Sequence, residues 1–303
     1  MKIALAGGSG FLGTALTQAL TRDGHDVAVL TRQNPASMPA QPRVTHVSWT
    51  PDGTSAAWAA ALDGADAVVN LAGESIAARR WSERQKQEIR DSRLRATASL
   101  TAAIRQVARA PKVLVSGSAV GYYGDRGDET ITESSGPGRD FLAGVADAWE
   151  TAANQVADRT RVALVRTGIV LDRKGGALPK MLPPFQLFVG GPLGSGRQYM
   201  PWIHKEDWVR LVTFAMTHEG ARGALNVTSP TPVTNAEFSK ALGRALHRPS
   251  LLPAPAFALR LALGEMADAL LLGGQRALPV RATDLGFSFR YSNIDDALSK
   301  VLS

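Results

Sequence analysis

The sequence predicts an α/β protein with a Rossmann-type doubly wound parallel sheet and a smaller, mainly C-terminal substrate lobe. Three observations carry that expectation. Short apolar strands alternate with helical stretches through the first half of the chain, the pattern of a parallel sheet with helices on both faces. A glycine-rich turn joins the first strand to the first helix. The second half opens on a Gly/Pro-rich stretch and then becomes helical, which sets it apart from the alternating half.

The elements follow in order. Residues 2–6 read as a β-branched and apolar strand and 11–22 as an amphipathic helix. Strands follow at 26–30, 44–49 and 67–71. Residues 82–109, rich in Ala, Leu, Arg and Gln, read as a long helix with Ser82 as its cap and Glu83 in the first turn. Then come a strand at 112–116, a helix at 140–157 and a strand at 161–166. Residues 175–196 predict loops and one short helix, 224–228 a strand, 235–246 a helix, and the proline-punctuated tail closes on a helix at 294–302. On this pattern residues 1–170 form a dinucleotide-binding domain to which 203–228 returns. Residues 171–202 and 229–303 form the smaller lobe over the carboxyl edge of the sheet, where open α/β sheets bind ligands.

Composition narrows the chemistry. The 303 residues include no cysteine, which removes disulfides, thiolate metal sites and thiol catalysis, and fits a reducing cytoplasm. No apolar run approaches the roughly 18–20 residues of a membrane span, and MKIALAGG lacks a signal-peptide layout, so a cytoplasmic protein without a membrane partner is expected. The net charge of +7 raises the question of nucleic acid. Yet Arg79, Arg80, Arg90, Arg93 and Arg95 are interspersed with Glu83, Glu88 and Asp91, with no basic arm, so a small-molecule partner is expected instead.

The turn KIALAGGSGFLGTAL places Gly7, Gly10 and Gly13 at G-x-x-G-x-x-G spacing, and Gly8 gives an overlapping G-x-G-x-x-G. The first glycines permit the tight turn, Gly10 lets the backbone approach a pyrophosphate, and Gly13 lets helix and strand pack closely. Phe11 and Leu12 open the helix whose free N–H groups would face the phosphates. No Gly-Lys-Ser/Thr follows, so this is not an NTPase phosphate loop. An Asp or Glu about 20 residues on would hold the ribose of NAD. Here Thr31 and Arg32 stand at the end of the second strand, and a guanidinium there can clamp a 2′-phosphate, which favours NADP(H).

The motifs NLAGE (70–74), RRWSERQKQEIRDSRL (79–94), SAVGYYG (118–124), DFLAGVADAWE (140–150), RTGIVL (166–171), MPWIHKED (200–207) and GGQRALP (273–279) extend over the whole chain. With them it resembles the atypical, extended short-chain dehydrogenase/reductases, the "epimerase family protein" branch of NAD-dependent epimerase/dehydratase-like enzymes. The resemblance implies cofactor contacts at Leu71 and Ala72, and on one helix at Glu88 and Arg93. Those two lie about 140° apart around an ideal helix and need not act as a pair.

Extended members use a Tyr-x-x-x-Lys pair for proton transfer; here the matching positions hold Phe141 and Val145, which cannot transfer a proton. The substitutes are Ser118, which matches the family's carbonyl-polarising hydroxyl, and Tyr122 and Tyr123 just past the fifth strand. His204 has a suitable ordinary pKa but lies where the family enters a helix. Arg166 suits either an anion or a structural ion pair. Two readings follow: an NADP(H)-dependent oxidoreductase or epimerase on a carbonyl or sugar-nucleotide-like substrate, or a catalytically weak NADPH-binding sensor or partner-binding protein.

Overall fold

The computed structural model describes residues 1–303. Seven parallel strands form the central sheet: β1 (Lys2–Ala6), β2 (Asp26–Thr31), β3 (Val44–Ser48), β4 (Ala67–Asn70), β5 (Val113–Ala119), β6 (Arg161–Thr167) and β7 (Gly223–Val227). Their order is β7-β6-β5-β4-β1-β2-β3, so the chain reverses direction across the sheet between β1 and β4. The crevice at such a reversal, at the carboxyl ends of the strands, is where this architecture takes its ligand.

The sheet is covered on both faces because its strands are apolar on both faces. Alternation along β1 sends Ile3 and Leu5 to one core, with Leu16 and Leu20 of α1 (Phe11–Arg22). Ala4 and Ala6 go to the other core, with Leu100 and Ile104 of α2 (Glu83–Gln106) and with Ala153 of α3 (Phe141–Asn154). Side chains fix where these last two helices start. Ser82 accepts the Gln85 N–H at 3.2 Å, and Asp140 accepts the Ala143 N–H at 2.9 Å, each meeting a donor the first turn leaves free.

A third core gathers Leu171, Leu178, Phe185 and Trp202 with Phe238 and Leu242 of the helix Asn235–Leu246 and Leu298 of the helix Ile294–Leu302. Residues 203–228 hold the helix Lys205–Thr217 and β7, and Trp208 and Leu211 pack in the main core. The tail is divided between bodies. Ala282 and Phe287 pack with the main sheet, and Arg276–Ala277 pairs with Thr130–Ile131. Several short strands lie outside the expected elements, among them Ile169–Asp172 and Trp202–His204, paired parallel. Runs of three and four residues are too short to show a period.

Candidate active site

The glycine turn leaves β1 with Gly7 at φ 82°, backbone that an L side chain rarely adopts. A Cβ on Gly7 would lie 2.6 Å from the Leu71 carbonyl carbon and 2.8 Å from the Ala72 nitrogen. The exit of β4 is thus pressed against the turn, and a substituent would force the two apart. A Cβ on Gly13 would overlap the Gly7 carbonyl, so α1 too is held close. Gly8 is buried beneath Val29, while Gly10 is exposed and donates its N–H to Gly7 O at 3.1 Å. Gly10 caps α1 without a side chain, which leaves first-turn N–H groups of Phe11 and its neighbours facing outward for an anion. The Phe11 ring lies against Gly175, where a Cβ would come within 2.6 Å of its Cε2, and Leu12 packs on the main core.

At the end of β2, Thr31 is buried and its Oγ1 accepts the Gln33 N–H at 3.1 Å. That turn leaves Arg32 exposed, with no hydrogen bond or ion pair to the protein. A free guanidinium at this edge fits a 2′-phosphate. Arg93 is spent differently. Its Nη1 donates to the carbonyls of Glu74 and Ile89, both at 2.9 Å, and its guanidinium stacks 5.2 Å from the Trp149 ring centre. Burial pulls its pKa down to about 10. It pins the loop after β4 by that carbonyl contact, with its stem against Gly73. Glu88 is engaged by Arg84 at 3.0 Å and Arg79 at 3.6 Å, an ion pair on the outer face of α2.

The proton-transfer candidates fall into two kinds. Ser118 is 5% exposed and donates to Glu150 Oε1 at 2.6 Å. Glu150 is itself clamped by Arg166, Nε to Oε1 and Nη2 to Oε2, both at 2.8 Å. Arg166 Nη1 donates to the Tyr123 hydroxyl at 2.8 Å, and that hydroxyl donates to Asn226 Oδ1 at 2.7 Å. Asn226 passes its amide on to the Leu278 carbonyl at 2.9 Å. Tyr123 is fully buried, and burial pushes its pKa up to about 12 against the pull of Arg166. The Tyr123 hydroxyl thus both accepts and donates within the protein at full burial, whereas the Ser118 hydroxyl donates to Glu150 and keeps its acceptor lone pairs open. Tyr122 differs. It is half-buried, its ring centre lies 3.6 Å from the Arg166 guanidinium, and its hydroxyl donates to no protein acceptor, Arg166 being the donor beside it. Burial raises its pKa, with Arg166 opposing.

Phe141 and Val145 sit on the first two turns of α3, Val145 buried, and Phe141 edge-on to Trp81 at 5.2 Å. Lys86 lies 5.6 Å above the Phe141 ring and pairs with Glu265 of the tail at 2.5 Å. His204 caps the helix Lys205–Thr217, its Nδ1 accepting the Glu206 N–H at 3.1 Å, a structural part. Sequence reasoning missed Glu150 and Asn226. The signal for Glu150 was a carboxylate on the apolar stripe Ala146, Trp149, Ala153 of α3, opposite an arginine in an apolar strand.

Residues 3–143 match the model of the NAD dependent epimerase/dehydratase family, and 254–301 match DUF1731, a domain of unknown function. The epimerase family protein YfhF of Bacillus subtilis is 42% identical over 305 residues, covering 100% of this chain and 98% of that protein. The epimerase family protein SDR39U1 of Homo sapiens is 38% identical over 306 residues, covering all of both. The crystal structure of human SDR39U1 with NADPH matches with a TM-score of 0.90 at 36% identity, covering 100% of this chain and 99% of that one.

Proposed function

This chain belongs to the NAD-dependent epimerase/dehydratase family, in the epimerase-family branch with a DUF1731 tail, and from that premise we propose that it is an NADPH-binding reductase of a carbonyl compound with Tyr122 as proton donor. The observation that carries the reading is the half-buried Tyr122 just past the carboxyl end of β5, whose hydroxyl proton has no protein acceptor, beside Ser118 and Tyr123, which both donate theirs to the protein. Support for the cofactor comes from the unpaired Arg32 for the 2′-phosphate, the uncapped glycine turn for the pyrophosphate, and the Leu71–Ala72 backbone against that turn. The human relative was solved with the same cofactor.

Bound NADPH supplies a hydride to the carbonyl carbon. The chain's own part is to hold the substrate oxygen near Tyr122 and to give it a proton. A phenol whose pKa burial raises stays protonated at neutral pH, which suits a donor to a forming alkoxide better than a base for the reverse oxidation. Arg166 fixes the ring from above and cannot itself give up a proton.

The test follows NADPH oxidation against a panel of carbonyl compounds and nucleotide sugars, alongside cofactor titration. Tyr122→Phe is expected to lower turnover by about 10²–10⁴ and to leave NADPH affinity unchanged. Full turnover in that variant removes Tyr122 from the role. Tight NADPH binding with no turnover on any compound favours the sensor reading.

A further inference from the structure

We propose that this protein docks peripherally on an anionic membrane surface through an apolar patch around Phe188 and Leu251, with Lys240 and Arg248 at its edge. Two chain segments run side by side to build the patch. The Leu252 N–H donates to Gly190 O at 3.2 Å, and Leu193 bridges to Ala254. Their outer side chains are Leu187, Phe188 and Val189 on one segment, Leu251 and Leu252 on the other, all more than half exposed. The helix Ala256–Leu263 follows Leu252 closely in the chain and is exposed as well. None of its residues is buried, and Phe257 and Leu261, one turn apart, stand 72% and 78% exposed. A contiguous apolar surface of this kind on a water-exposed protein marks an interaction site.

Phe188 adds an independent sign. It holds φ at 64°, where a bulky side chain is strained and glycine is usual, at the end of the helix Leu178–Gln186. Arg43 and His247 share this backbone region, but Phe188 alone among the three is apolar, and its ring is more than half exposed.

Charge selects the occupant. The carboxylates around the patch are already engaged: Asp295 by Arg244 at 2.6 Å, Asp268 by Arg260 at 2.8 Å, and Glu237 in the cap of its own helix. Lys240 and Arg248 have no carboxylate partner, and Arg248 rests 4.6 Å from the centre of the Phe188 ring. Lys240, His247, Arg248 and Leu251 line one shared concavity. Apolar side chains with Arg248 unpaired at their edge, and Lys240 beside it sharing its field with Glu237, match acyl chains below phosphate headgroups. A second copy facing this patch would bring cation against cation. No helix is long and apolar enough to cross a membrane, so the contact is with the surface.

The test is flotation of the full chain, with NADPH present, on vesicles of phosphatidylglycerol and phosphatidylcholine in equal parts, and on phosphatidylcholine alone. Binding is expected to the anionic vesicles and not to the neutral ones. Lys240→Gln with Arg248→Gln should weaken it roughly 30-fold, at about 1 kcal/mol per cation near the surface. Phe188→Gly with Leu251→Ser should abolish it while NADPH affinity is kept, the glycine also relieving the backbone. A wild-type protein that stays unbound, equal binding to both vesicles, or patch variants that float like wild type would each overturn the proposal. So would a dimer in sedimentation velocity that Phe188→Gly with Leu251→Ser converts to monomer without any vesicle binding.

Discussion

At the β1–β2 end of the sheet, Arg32 stands in solvent without a carboxylate and the first turn of α1 has no side-chain cap. At the β5–β6 end of the same edge, Ser118, Glu150, Arg166, Tyr123 and Asn226 satisfy one another in an unbroken chain of hydrogen bonds. Polar groups left free await a ligand, because water costs them little until a better partner arrives. Polar groups buried and paired have found their partners and serve the fold, since an unmet group at that depth is expensive. The difference separates two ends of the same sheet edge. One end leaves its polar groups open, and the other ties the Ser118 and Tyr123 hydroxyl protons to protein acceptors while Tyr122 has none for its own.

The largest effect expected from this contrast is on stability. Burial opposes the charge on Arg166, and the bidentate Glu150 more than offsets it, holding the guanidinium above its ordinary range. Arg166→Met strands the Glu150 carboxylate at 8% side-chain exposure, and breaking such a pair costs about 3–5 kcal/mol. The double change Glu150→Leu with Arg166→Met should recover much of that loss, because no charge is then left buried. Urea unfolding of the three proteins measures both. A single variant as stable as wild type would mean that the chain of bonds is dispensable, and the comparison would lose its second side.

Next in size is the cofactor half. Arg32→Ala should weaken NADPH by roughly ten- to hundredfold, the worth of one charge-assisted bond to phosphate, and leave NADH nearly unchanged. Its stability should hold within about 0.5 kcal/mol, since nothing in the protein depends on an exposed, unpaired side chain. Nucleotide fluorescence titration reads the affinities. Equal binding of both nucleotides by wild type would show that Arg32 reads no phosphate.

Much of this was legible in the chain. The strands and helices of the first half announce themselves by period and by caps; Ser82 and Asp140 each sit one residue ahead of a helix. The glycine turn was legible because its spacing carries a geometric demand, and the close approach of Leu71 and Ala72 meets that demand. The network was not. Ser118 and Glu150 bond across 32 residues and Tyr123 and Asn226 across 103, and no local pattern says which hydroxyl will find a buried partner. Arg166 was read as either an anion clamp or an ion pair, and only its neighbour across α3 decides between them. The tail was the least legible part: Ala282 and Phe287 join the main core through short elements with no period of their own.

The smallest expected effect tests whether the second kind of region, polar and saturated, extends beyond the network to His204. This ring is 4% exposed and lies 3.8 Å from the ring centre of Tyr291, and its Nδ1 accepts the Glu206 N–H. Burial lowers its pKa below the ordinary 6.5, Lys205 adds to that, and Glu206, Asp207 and Asp172 oppose it. The sign follows from linkage. Between the lowered folded value and 6.5 the unfolded chain holds a proton on this ring that the folded chain does not, so stability is full above 6.5 and is lost as pH falls through that window. One such group changes stability by at most about 1.4 kcal/mol per pH unit. His204→Asn keeps an acceptor that can cap the helix and cannot titrate. Urea midpoints at pH 7.5 and 5.5 should therefore fall further in wild type than in the variant. Equal falls would mean that the ring takes up its proton in the fold as readily as in the open chain. The cap would then be water-accessible rather than sealed like the bonds beneath Tyr122.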